Sequence, residues 1–117
     1  MIRRVVAIIA LAVATHAYAK PLAIPNDDSA ADKAIAITKK YQLTKDNIEC
    51  LQFDTFDKGT FYVVRVREIH PKACGGVPDV SPTLFFLKIR KSDGRTLTNA
   101  YGDGSRYVPP KRVKTPD

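Results

Sequence analysis

The sequence is short of the residues that carry chemistry. Its 117 residues include two histidines, two cysteines and one methionine. His16 lies in the apolar N-terminal segment, so His70 stands alone in the rest of the chain. One imidazole does not make a metal site, because structural zinc takes four ligands. As a general base it lacks a partner, since Ser81, Ser92 and Ser105 have none of the context of an activated nucleophile. The cysteines are far apart rather than in a C-x-x-C pair, which argues against redox chemistry. Gly102-Asp103-Gly104 is not followed by a helix start, as a phosphate loop requires. These absences leave no catalytic residue, no metal ligand set and no cofactor to assign.

Long apolar runs are also missing. Val5 to Val13 is apolar, but nine residues fall well short of the roughly 20 that a helix needs to cross a bilayer. The run follows Arg3 and Arg4 and precedes Ala17 and Ala19, small residues in the A-x-A spacing of a signal peptidase site. Residues 1–19 therefore read as a secretory signal cleaved after Ala19. The mature chain is expected in the periplasm or outside the cell, not as a transmembrane protein. Cleavage leaves 98 residues, one small domain, and removes two arginines, which lowers the formal charge from +7 to +5. That balance favours anionic partners. The basic residues are scattered and the chain is exported, so nucleic acid is not expected.

What is present is strongly patterned. Residues 20–28 (KPLAIPNDD) hold two prolines and no periodicity, and read as an extended arm. Ser29 then offers a helix cap, with Asp32 three residues on and Asp27 and Asp28 at the positive end of the dipole. Ala31, Ala34, Ile35, Thr38 and Tyr41 recur at helical steps, which predicts an amphipathic helix from Ala30 to about Gln42. The period then becomes two. Ile48 to Phe56, Thr60 to Ile69, Thr83 to Lys91 and Arg95 to Ala100 read as four strands. Turn signals at Asp57-Lys58-Gly59 and Ser92-Asp93-Gly94 separate two of the pairs. Tyr62, Val64, Val66, Phe85, Leu87 and Ile89 form the expected core face, opposite Ile35 of the helix. Arg65, Arg67, Lys88 and Arg90 alternate outward. The fold class is α+β: one N-terminal amphipathic helix packed on a four-stranded antiparallel sheet, residues 29–102. Residues 103–117, with three prolines and four basic residues, read as a loose basic tail.

Acidic side chains have structural readings in this frame. Asp54 and Asp57 flank a hairpin, and Glu68 lies among Arg65 and Arg67, where an ion pair is expected. One loop breaks the pattern. His70 to Pro82 joins the second and third strands through thirteen residues, longer than the usual hairpin connection. Pro71, Pro78 and Pro82 stiffen it and Cys74 tethers it. A stiff loop loses little entropy on binding, so Val77, Asp79 and Val80 are candidate contacts for a partner, together with the outward cations.

The helix Ala30–Tyr41, the stretch Gly59-Thr60-Phe61-Tyr62-Val63-Val64 and the strand–turn–strand Leu87-Lys88-Ile89-Arg90-Lys91-Ser92-Asp93-Gly94-Arg95-Thr96-Leu97 together resemble the PepSY family of exported bacterial domains. The Cys50/Cys74 pair and the long proline loop depart from that family. The resemblance implies a short helix on a small antiparallel sheet, and a domain that restrains peptidases or serves sensing and binding. A cystatin-like sheet wrapped on a helix is the other architecture that fits, and it also hosts inhibitors. The sequence thus points to a non-enzymatic protein that binds or inhibits another exported or envelope protein. The alternative is a module for anionic lipid or cell-wall polymer, bound through the basic sheet face.

In an exported chain, Cys50 and Cys74 are expected to form one disulfide, closing a loop of about 25 residues and restricting the unfolded chain by about 3 kcal/mol. Thiol titration of the native exported protein should therefore find none. Cys50→Ala should lower stability by about 2–4 kcal/mol, and two reactive thiols in the folded protein would contradict the pairing.

Overall fold

The computed structural model describes residues 20–113. The expected signal peptide lies outside the described residues. Helix α1 spans Asp27–Lys40, and the strands β1 (Leu51–Asp57), β2 (Phe61–Glu68), β3 (Thr83–Arg90) and β4 (Thr96–Thr98) follow in order. They form one antiparallel sheet in the order β1-β2-β3-β4, and α1 packs on one face of it. The α+β arrangement expected from the periodicity is the one observed.

α1 starts three residues earlier than its apparent cap suggested. Asn26, not Ser29, is the N-cap: its Oδ1 accepts from the Ser29 amide at 2.8 Å, and the Ser29 hydroxyl accepts from the Asn26 amide at 3.1 Å. Each side chain thus satisfies an otherwise orphaned backbone donor of the other residue. Asp27 and Asp28 complement the positive end of the dipole, and Lys39 and Lys40 the negative end. The buried face of the helix is Ala30, Ala34 and Thr38, flanked by Ile37. Ile35, the expected contact, is only half-buried. At 3.6 residues per turn it lies about 100° from the middle of that face, whereas Ile37 lies about 60° from it.

β1 is also shorter than expected. Ile48–Cys50 forms a 3₁₀ turn, with the Cys50 amide donating to the Asn47 carbonyl at 2.9 Å, so the strand begins at Leu51. Cys50 is bonded to Cys74, with Cα atoms 5.7 Å apart, as the exported context predicted. β1 and β2 join through Gly59 and Thr60, and the Lys58 amide donates to the Phe61 carbonyl at 2.9 Å. Gly59 has φ +97°, which a two-residue hairpin turn of this kind demands at its first central position. Between β2 and β3 the register slips by one at Val66/Arg67, leaving Leu84 unmatched; this half-buried side chain packs against the core.

The core face carries Tyr62, Val64, Val66, Phe85, Leu87 and Ile89, as the period-two reading placed them, and Leu51 joins them from β1. Both ends of the domain are tied down. The arm before α1 is not merely extended: Ile24 is buried, and its amide donates to the Lys91 carbonyl at 3.0 Å. β4 has three residues rather than six, and the described part of the segment read as a loose tail, residues 103–113, docks beside it. Thr98 and Val108 exchange backbone hydrogen bonds at 2.8 and 2.9 Å, and the Lys111 amide donates to the Tyr101 hydroxyl at 2.7 Å. The proline content that suggested looseness limits this segment to one bridge rather than a ladder.

Leu87 is wholly buried in the central strand pair. Leu87→Ala should lower unfolding free energy by about 2–5 kcal/mol, measured by denaturant titration. A loss below about 0.5 kcal/mol would mean that this position does not face the core.

Candidate functional site

The outer face of the sheet, away from α1, carries the cations singled out above. β2 and β3 are neighbours, so Arg65, Arg67, Lys88 and Arg90 do share one face. They do not form one free positive patch. Asp54 stands directly across from Arg65 in the β1–β2 register and next to the pair that holds Arg67. Its Oδ2 accepts from Arg65 at 3.0 and 3.1 Å and from Arg67 Nε at 2.6 Å. The expected partner Glu68 lies elsewhere, its carboxylate 3.3 Å from His70 Nε2. The hydrogen bond that Glu68 shares with Asp46, and then burial, push its carboxyl above the ordinary range. Parity explains the exchange: Asp54 shares the outer face with the arginines, while Glu68 is one position out of phase with them.

Burial alone pushes the Asp54 carboxyl up. Hydrogen bonds from Arg67, Gln52 and Arg65, with the charge of Arg67, outweigh that and bring its pKa down to about 2. Arg90 is likewise matched, by Asp93 three residues on in the β3–β4 turn; Arg90 Nε donates to Asp93 Oδ1 at 2.8 Å. Lys88 has a different neighbour. Its ammonium lies 4.0 Å from the centroid of the Tyr107 ring, on the docked C-terminal segment.

The loop expected to meet a partner is built as a braced projection. Besides the disulfide, His70 Nδ1 lies 2.9 Å from the Gly75 carbonyl oxygen, and the Ser81 hydroxyl donates to the Glu68 carbonyl at 2.5 Å. Arg67 donates to that same hydroxyl at 3.0 Å, which couples the loop base to the outer face. Gly76 crosses so close to His70 that a Cβ there would lie 2.3 Å from Nδ1. Val77 and Val80 are 61% and 48% exposed, and Asp79 is exposed beside them. His70 is therefore a strut of the loop, with both ring nitrogens engaged. Among the described residues, no group of three or more His, Cys, Asp and Glu side chains is placed to hold a metal ion. No described helix is long and apolar enough to cross a membrane.

The chain matches no family model, no curated protein and no solved structure. Its site is thus read from its own geometry.

At the far end of the outer face, Thr60, Phe61, Lys88, Arg90, Arg95 and Leu97 line an open groove of about 450 Å³. The register builds it: Phe61 stands opposite Arg90, and Lys88 opposite Leu97. Phe61, Arg95 and Leu97 escaped the sequence reading, although the alternation that put Tyr62 inward also puts Phe61 outward. Two regions therefore stand out on this side of the molecule. The disulfide loop leads from the Arg67 end of β2, and the groove lies at its Phe61 end, about 20 Å away at 3.3 Å per residue.

The Asp54 cluster has a clear pH signature. Its carboxyl is held below its unfolded value, so its stabilising effect is fully present above about pH 4 and is lost as pH falls toward 2. Asp54→Asn should remove about 1–2 kcal/mol at pH 7, and should flatten the acid limb of the stability profile between about pH 4 and 2. An unchanged acid limb in the variant would assign that limb to other carboxylates.

Proposed function

We propose that this chain is a small exported, non-catalytic protein that binds or inhibits another protein of the cell envelope. The observation that carries this reading is the loop between β2 and β3. It is fastened by a disulfide, by His70 to the Gly75 carbonyl and by Ser81 to the Glu68 carbonyl, yet it leaves Val77 and Val80 exposed. Ordering a loop before binding removes an entropic cost from the complex, and exposed aliphatic side chains on a rigid base are what a partner's apolar surface can bury.

Three further points support the reading. A disulfide suits an oxidising compartment outside the cytoplasm, in keeping with the signal-like first nineteen residues. His70, the one imidazole beyond that segment, is held at Nδ1 by the loop's Gly75 carbonyl and at Nε2 by Glu68 at the end of β2. The order of one helix and then four antiparallel strands is also that of the exported PepSY domains, and a cystatin-like inhibitor offers a similar layout. The alternative, a module for anionic lipid or wall polymer, has less support, because Asp54 and Asp93 already match three of its four cations.

The test is capture from an envelope extract with the exported protein as bait, compared with Val77→Ser, Asp79→Asn and Val80→Ser variants. The variants should melt within a degree or two of the parent and lose the partner that the parent retains. Equal capture accompanied by a much lower melting temperature would make the loop a structural staple instead. Sedimentation with anionic vesicles or wall sacculi, abolished by salt, would favour the alternative.

A further inference from the structure

The outer-face groove is a second region of this molecule, and its charges are arranged unlike those near the loop. Arg65 and Arg67 surrender theirs to Asp54. In the groove, Arg90 is paired with Asp93, but Lys88 faces only the Tyr107 ring, and the Arg95 guanidinium makes no hydrogen bond or ion pair among the described residues. Lys88 and Leu97 are cross-strand partners, and Arg95 lies two residues before Leu97 on the same face. Two uncompensated cations thus flank an apolar floor of Leu97 and Phe61, within an open concavity of about 450 Å³. That floor is left half-buried and ringed with positive charge.

From this we infer that the groove is a binding site for an acidic, apolar peptide segment, in which carboxylates flank an aliphatic or aromatic side chain. The guanidinium of Arg95 presents the planar fork that matches a carboxylate, and Lys88 supplies a second cation across the groove. The apolar side chain of the segment sits on Leu97 and Phe61. The concavity is open rather than enclosed, so it suits a segment laid across it more than a small molecule, which is ordinarily held in a closed pocket. The inference rests on the proposed protein-binding role only in taking the segment to be part of a protein partner; the ligand chemistry follows from the groove alone.

The experiment uses the whole mature chain, residues 20–117, and three probes. One is a terminally blocked hexapeptide of alternating glutamate and leucine, the second its glutamine counterpart, and the third vesicles of phosphatidylglycerol in phosphatidylcholine. Titration calorimetry should show saturable binding of the glutamate peptide, weakening as salt rises. The glutamine peptide should bind at least about tenfold more weakly. Arg95→Gln and Lys88→Gln, both on the surface, should each weaken the glutamate peptide about tenfold or more with the melting temperature unchanged. Failure of the parent to bind the glutamate peptide, equal binding of both peptides, or an unaltered affinity in Arg95→Gln would overturn the inference. Binding to the vesicles but not to the peptide would also overturn it and assign the groove to lipid. The capture experiment with the loop variants reads the other proposal separately. Peptide binding without any captured partner leaves the groove standing and removes the protein-binding role, whereas capture without peptide binding does the reverse.

Discussion

The whole arrangement depends on how much sheet one short helix can cover. α1 has fourteen residues, so it is about 21 Å long, and its diameter of about 10 Å spans roughly two strands spaced 4.8 Å apart. Ala30 and Ala34 are completely buried and contribute nothing beyond a methyl group. The helix backbone can therefore approach closely, and nearly all the volume of the core comes from the sheet side: Val64, Val66, Leu87 and Ile89, each with no exposed surface. A close seat over β1 and β2 leaves the β3–β4 side short of cover. The arm meets that need with Ile24, which buries itself beside Gly94 and joins its backbone to Lys91. β4, with three residues, gains the single bridge to Val108 along its outer edge. Both terminal segments are consequences of the same shortage.

That dependence explains which parts of the fold were legible. The alternation in residues 60–69 and 83–91 identified every core residue of β2 and β3, because a half-buried strand must repeat with period two. The helix was legible for the same reason, but its caps were not. Asn26 and Ser29 are both good capping residues, and the choice between them depends on where the chain leaves the sheet. The arm and the tail misled because their order comes from partners distant in sequence. Ile24 owes its burial to Lys91 and Gly94, and Val108 owes its place to Thr98. Prolines and charges, read locally, say only that such segments do not form helices or ladders by themselves. The 3₁₀ turn before β1 is similar: Ile48 and Cys50 alternate acceptably, yet the turn onto Asn47 takes precedence next to the disulfide.

The outward cations were legible as positions and not as charges. Alternation places Arg65, Arg67, Lys88 and Arg90 on one side, but their partners follow from register, which a linear reading does not contain. Asp54 becomes the centre of a three-residue cluster only because it falls opposite Arg65 with Arg67 beside it. Glu68, nearer in sequence, is out of phase and turns to Asp46 and His70. The groove was hidden for a related reason. Phe61, Lys88 and Leu97 are far apart in sequence, and only the β2-β3-β4 order brings them together.

The contrast between the two ends of the outer face is a contrast in how a cation is held. A carboxylate that fixes an arginine also cancels its charge and occupies its donors, as Asp54 does for Arg65 and Arg67. A ring that fixes a lysine does neither: Tyr107 positions the Lys88 ammonium at 4.0 Å by its quadrupole, and among the described residues its N–H groups meet no carboxylate. The first device rigidifies the base of the loop, where Arg67 also holds Ser81. The second keeps a positive charge in place and available. A sheet face stabilised at one end by internal ion pairs can therefore keep uncompensated cations at the other. The C-terminal segment that supplies Tyr107 thus sets the position of Lys88 beside the groove as well as covering the edge of β4.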